Sequence, residues 1–252
     1  GQPVAHATDP VSLAKIRQGN WDFIVIQEQS QIPAIEALRD SCMLPAAFIL
    51  RDSARENDAC SQILFYLTWG RRFGGTQCFS PNYCSPGFTD FDQMQDSITR
   101  AYKILADSAD GWIAPVGEAW RLTLNNSSIV LHDQDYSHPN LNGSYLAACV
   151  FYSSMFHKPS TGLDFHAGLF NRYFLKLFHI MYIHQVEHGA NSAFPDQQFP
   201  VQLVFEYLQV PFGIHRLHAR DQGLEFLHIR FRDVDHSAAH DEIPLCSRVQ
   251  NR

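Results

Sequence analysis

The chain alternates between short apolar runs and amphipathic stretches as far as about residue 157. Residues 21–27 (WDFIVIQ) form a near-continuous apolar run that ends in polar side chains, the pattern of a strand buried on both faces. Residues 63–68 (ILFYLT) and 112–116 (WIAPV) repeat it. Between these two, residues 91–106 set Met94, Ile98, Ala101, Tyr102 and Leu105 on one side of a helix. A short helix is expected over 11–18, with Asp9 as its cap and Pro10 in its first turn. Tyr145, Leu146, Val150, Phe151 and Met155 recur at helical spacing, and Gly143 is read as the tight turn into that helix. Strands alternating with helices predict an α/β fold, a three-layer α/β/α domain with a mainly parallel sheet, over residues 1–160. Residues 70–93, rich in Gly, Pro, Ser and aromatic side chains, read as a long binding loop or lid.

Beyond residue 160 the character changes. Nine of the 13 histidines lie from His166 onward. Residues 168–186 are strongly apolar and predict a helix, and 201–210 and 224–231 predict strands. Residues 161–252 are therefore expected to be a His-rich C-terminal extension, a second layer or small appendage.

In sheets of this kind chemistry gathers at the carboxyl ends of the strands. Polar clusters fall at each of those ends: Gln27-Glu28-Gln29-Ser30, Thr68-Trp69-Gly70-Arg71, Gly117-Glu118-Ala119-Trp120, and the loop of Asp135 and His138. An acid three residues before a histidine, at the mouth of a helix, suits a general base. The carboxylate selects the imidazole tautomer and steadies the imidazolium. Composition narrows the partners. A net charge of -7 and a pI near 6.0 argue against nucleic acid, which needs a basic face. No run of about 18 apolar residues exists to span a membrane. Hydrophobic residues at 45% and aromatics at 13% are enough for a sizeable core.

The six cysteines are Cys42, Cys60, Cys78, Cys84, Cys149 and Cys246, with no C-x-x-C pair. Cys78 and Cys84 bracket a Gly/Pro/Asn-rich stretch; a disulfide, in an exported protein, and free thiols both remain open. Cys149 is assigned to the core. The chain shows no basic segment followed by an apolar run at its start, and export, to the periplasm or outside the cell, is favoured over the cytoplasm. A competing chemistry lies in His184-Gln185-Val186-Glu187-His188. Histidines four apart on a helix share a face and can hold zinc, with Glu187 as base; no cofactor is expected otherwise. Asp233, Asp235, His236, His240 and Asp241 make a further metal-capable tail.

With these motifs in hand, the chain resembles the SGNH (GDSL-type) hydrolase superfamily, most of all an uncharacterised bacterial branch. The resemblance rests on Trp21-Asp22 with Val25, Gln27 and Ser30, on Thr68-Trp69, on Pro115-Val116-Gly117-Glu118-Ala119-Trp120, and on Asp135-x-x-His138-Pro139 before Gly143-Ser144-Tyr145-Leu146-Ala147-Ala148. It covers about residues 1–157. It implies an esterase acting on small carboxylic esters, acetylated carbohydrates among them, with His138 as base and Asp135 as its orienting acid. Gln27 or Gln29 stands where the family places a polar oxyanion donor, Trp69 would face the substrate, and Gly1 would be the remnant of the glycine block. The family's nucleophilic serine belongs to a block that would precede residue 1. Ser30 is one substitute; Gly189-Ala190-Asn191-Ser192, an echo of the missing block, is another. The strand that normally carries that block is central to the sheet. Its place is expected to be filled by 201–210, by 224–231 or by a second copy in a homodimer. A catalytically inactive scaffold or binding protein is the third reading.

Overall fold

The computed structural model describes residues 5–19, 21–160, 169, 215–216 and 225–229. Apolar continuity and length decide its strands. The run of β1 (Phe23–Gln27) buries Ile24, Val25 and Ile26 completely or nearly so, and β2 (Gln62–Tyr66) does the same with Ile63, Leu64 and Phe65. β1 and β2 pair in parallel with Phe23 opposite Gln62, and β5 (Trp112–Ala114) joins β2 in parallel with Leu64 opposite Trp112. Strand β5 is shorter than expected. Pro115 ends it, and Val116 is already the first residue of a helix.

Alternation sends the two side-chain sets of each strand to opposite faces. Ile24, Ile26, Ile63 and Phe65 meet α2 (Pro10–Ile16), α5 (Leu44–Asn57) and α6 (Phe91–Ala109) on one face. Short turns α3 (Gln31–Ala34) and α4 (Glu36–Leu38) close the same core, and α1 (Ala5–Thr8) packs at its rim. Val25, Leu64 and Ala114 meet α7 (Val116–Asn126) and α8 (Leu141–Phe156) on the other. The three-layer arrangement follows directly from those alternating sets. Helix starts obey local chemistry. The Asp9 carboxylate accepts the N–H groups of Val11 and Ser12, Asp90 that of Gln93, and Asn140 that of Gly143, each satisfying amides that the first turn leaves unpaired.

Two expectations change. Gly143 makes no turn; it is the third residue of α8, and Asn140 is the cap. A Cβ there would meet the Leu131 carbonyl oxygen and a Trp120 ring carbon, both at 2.5 Å, so close packing rather than conformation requires glycine. Residues 70–93 are not an open loop. They contain a hairpin, β3 (Gly75–Ser80) and β4 (Tyr83–Phe88), crossed by a Cys78–Cys84 disulfide. Cys60 is disulfide-bonded as well, while Cys42 is free and Cys149 is free and buried.

The free side of β1 is occupied from within the chain. β7 (Glu225–Ile229) pairs with it antiparallel, Phe23 opposite Ile229, and β6 (His215–Arg216) adds outside β7, giving the order β5-β2-β1-β7-β6. Of the strand candidates, 224–231 thus supplies the partner; 201–210 lies outside the described residues, as do the Gly189–Ser192 echo and all of the expected 168–186 helix but residue 169. Among the described residues no helix is long and apolar enough to cross a membrane.

An open β1 would present a row of unpaired amides and carbonyls beside a wholly apolar strand, a template for aggregation. Deleting residues 161–252 is therefore expected to give insoluble protein, scored by the soluble fraction after expression. A soluble, monomeric, cooperatively melting 1–160 fragment would show that β1 does not need this cover.

Candidate functional site

Loop 131–140, between α7 and α8, carries the acid and the histidine. Its backbone is closed on itself: Asn140 N–H donates to the Leu131 carbonyl at 2.9 Å and Asp133 N–H to the His138 carbonyl at 2.8 Å. Tyr136 N–H donates to Asp133 O at 3.0 Å. Asn140 adds side-chain bonds to the carbonyls of Val130 and His132. Inside this frame one Asp135 oxygen accepts the N–H groups of Ser137 and His138, each at 2.9 Å, and the other faces His138 Nδ1 in a short contact. The His138 imidazole is 79% exposed. The hydrogen bond to His138, then those from the two amides, hold the Asp135 carboxyl well below the usual carboxylate range, so it stays ionised. With Nδ1 fixed by the carboxylate, Nε2 is left to exchange a proton with a ligand.

The loop is anchored to the carboxyl end of β2. Trp69 Nε1–H donates to the Ser137 carbonyl at 2.9 Å. Its ring stacks on buried Trp120 of α7, 4.1 Å between centroids and 2° from parallel. His132, also buried, presents its ring edge-on to Trp120 and donates from Nε2 to the Gly70 carbonyl at 3.0 Å. Burial, foremost, lowers the His132 pKa, so it serves as a neutral spacer. The α7 end is equally tight. A Cβ on Gly117 would lie 2.2 Å from the Thr68 carbonyl oxygen and from Gln95 Nε2. Gln95, fully buried, accepts from Gly70 N–H at 2.9 Å and donates to Thr68 O at 3.2 Å. The strand-end segment 68–70 is thereby fixed from both sides.

The carboxyl end of β1 lies next to that of β2, because the two strands are parallel neighbours. Gln27 closes β1, and Gln29 and Ser30 follow at half-buried positions, Ser30 just before α3. The side chains of Gln27, Gln29 and Ser30 make no hydrogen bond among the described residues, and no hydroxyl there is bonded to His138 Nε2. Trp69 is thus hydrogen-bonded to the dyad loop, and Ser30 makes no hydrogen bond to it among the described residues. Gly1 and the His184, Glu187 and His188 set lie outside the described residues. Among the described residues no group of three or more His, Cys, Asp or Glu side chains is placed to hold a metal ion.

Sequence reasoning passed over Glu28. Its residue is 1% exposed. Oε1 accepts the Gln29 N–H at 2.8 Å, while Oε2 is buried with no hydrogen-bond partner. Tyr102, likewise buried, accepts the Glu28 N–H and returns its hydroxyl proton to the Glu28 carbonyl. Desolvation pushes the Glu28 carboxyl up to about 8. A lone acid beside two glutamines gives no sequence signal for this; only its burial does.

No protein-family model matches the chain, and no curated protein matches it. Two solved structures are similar. One is a DUF4886 family protein from Bacteroides uniformis, at 18% identity and a TM-score of 0.55, covering 70% of this chain and 66% of that one. The chain thus spans just under two thirds of that protein's length. The other is a candidate SGNH hydrolase from Slackia heliotrinireducens, at 25% identity and a TM-score of 0.48, covering 62% of this chain and 80% of that one. The first shares the fold.

The raised Glu28 pKa has a pH signature. The folded state keeps this proton up to about pH 8, whereas the unfolded chain releases it near pH 4.5. The folded state therefore binds more protons between those values, and stability falls as pH rises through that window. Glu28→Gln keeps an acceptor for Gln29 N–H and cannot ionise. Denaturant titrations are expected to show equal stability at pH 4 and an advantage for the variant at pH 8.5, on the order of 4 kcal/mol. Parallel pH profiles for the two proteins would mean that Glu28 is not buried neutral.

Proposed function

We propose that the protein hydrolyses small carboxylic esters, acetylated carbohydrates being the first substrate class, with His138 as general base and Asp135 as its orienting acid. The observation that carries this is the dyad itself. It pairs an exposed imidazole with a carboxylate that two backbone amides and the imidazole keep ionised. Such a pair takes a proton from a hydroxyl as that hydroxyl attacks the acyl carbon. The proton passes to Nε2, and the carbonyl π pair becomes an oxyanion. Gln27 or Gln29, with unengaged amides at the adjacent strand end, would donate N–H to it. Collapse expels the alcohol, which takes the proton from Nε2. Water repeats the sequence on the acyl intermediate, releasing the acid. Ser30 is the candidate hydroxyl among the described residues. Export suits the Cys78–Cys84 disulfide, since such bonds persist in oxidising compartments.

A second reading, a binding protein on a hydrolase-like scaffold, draws on one observation: no hydroxyl among the described residues is bonded to His138 Nε2. The two differ in turnover. Under the esterase reading, His138→Ala is expected to cut kcat/KM for a short-chain aryl acetate by roughly three powers of ten or more while the thermal midpoint holds. Equal turnover in the folded variant would exclude the dyad as the catalyst, and no turnover in either protein would favour the binding protein.

The zinc alternative, with His184, His188 and Glu187, is separable by metal. Serine-type ester hydrolysis needs no Lewis acid, so activity is expected to survive prolonged dialysis against a chelator. Loss of activity with release of about one zinc per chain, and the same loss in His184→Ala, would transfer the chemistry to that motif.

A further inference from the structure

Three exposed side chains gather at the dyad loop, Tyr136 from within it and Arg72 and Phe73 from the segment bonded to it. Phe73 and Tyr136 are 64% and 54% exposed, and their rings meet edge to face, 4.9 Å between centroids. The Arg72 guanidinium lies 5.8 Å from the centre of the Phe73 ring. Backbone geometry holds the three together, for Arg72 N–H donates to the Tyr136 carbonyl at 2.9 Å. Tyr136 sits in the chain between Asp135 and His138 with a left-handed backbone, φ 58°. That conformation is unfavourable for a bulky side chain, and such residues gather at ligand clamps. Both rings are displayed to solvent, Tyr136 two residues from the base.

Charge adds a second, independent observation. In a chain of net charge -7, Arg17, Arg39, Arg51, Arg55 and Arg121 each pair with an acid. Among the described residues Arg71, Arg72 and Arg100 make no ion pair, and of these Arg71 and Arg72 stand in the segment bonded to the dyad loop, whereas Arg100 lies on α6. Arg71 Nε is moreover shut off from solvent without a hydrogen-bond partner. Two uncompensated guanidinium groups, next to two bare rings and a general base, are complementary to a ring that carries a negative charge.

We propose that Phe73, Tyr136 and Arg72 form the subsite for the alcohol half of the substrate, and that this half is a carboxylate-bearing ring, an acidic sugar in chemical type. The assignment rests on the ester-hydrolase reading. The rings are open to solvent, so they suit the large outward half of an ester rather than a small acyl group. The C–H face of a sugar covers aromatic surface, and a guanidinium recognises a carboxylate through paired N–H donors. A neutral sugar would cover the rings and leave Arg72 unanswered.

Ligand-observed NMR titrations of the full chain with methyl glucuronoside and methyl glucoside, at low ionic strength, test this. The glucuronoside is expected to bind at least fivefold more tightly. Arg72→Gln should bring the two affinities together, and Phe73→Ala should weaken both about tenfold. Tyr136→Asn, which tolerates the left-handed backbone, should act like Phe73→Ala. Equal affinities in the wild type, no binding of either glycoside, or wild-type binding by the Phe73 and Tyr136 variants would overturn the subsite. Neither glycoside carries an ester, so the result is independent of turnover. Catalysis can fail with the subsite intact, and an active esterase can lack it.

Discussion

The stack of Trp69 on Trp120, with His132 edge-on against it, is the contact on which the candidate site depends. Trp69 ends the strand-2 segment, Trp120 belongs to the helix after strand 5, and His132 opens the loop that carries the dyad. Three separate pieces of chain therefore meet in one aromatic layer, with Trp120 and His132 buried and Trp69 half-buried. Burial of such rings is worth a few kcal/mol each, and two directional bonds turn that energy into position. Trp69 holds the Ser137 carbonyl and His132 holds the Gly70 carbonyl. Without them, an exposed ten-residue loop would order its histidine only through its own turns.

The glycines show how closely this layer is packed. Gly143 admits the Trp120 ring edge, and Gly117 admits the Thr68 carbonyl and the Gln95 amide. A methyl group at either position would displace backbone or buried side chains rather than a flexible tip, and overpacking of that kind usually costs about 1–3 kcal/mol. Both glycines belong to the P-V-G and G-S-Y segments that carry the sequence resemblance. Their spacing marks where helices approach strand ends, and the chemistry sits on the loops beside them.

Much of this was legible in the residues. Buried parallel strands announce themselves as unbroken apolar runs; the 23–27 and 112–114 strands fall inside two of the expected runs, and the 62–66 strand overlaps the third, 63–68. The D-x-x-H spacing placed acid and imidazole together because a tight turn brings residues three apart into contact. Two of the misses, Gly143 and Glu28, depend on partners distant in sequence. Gly143 looks like a turn residue until Trp120, 23 positions earlier, is packed against it. The 75–88 hairpin was hidden by Gly and Pro, which punctuate hairpins as readily as loops. Glu28 reads as one more polar strand-end residue, and only Tyr102, 74 positions away, closes over it.

Glu28 and Asp135 also form a contrast that bears on how such an edge can work. Both are carboxylic acids at the carboxyl side of the same sheet. Asp135 receives two amide protons and the imidazole and is held ionised, whereas Glu28 is stripped of water, receives one amide, and is held neutral at pH 7. Environments that push two carboxyls apart assign them different tasks. A second carboxylate at this edge would compete for the imidazolium and repel an anionic ligand. Keeping Glu28 protonated removes that charge while leaving its acceptor on Gln29, so the turn after strand 1 stays fixed. The Asp135 charge is directed onto His138 Nδ1, and Arg71 and Arg72 make no ion pair among the described residues.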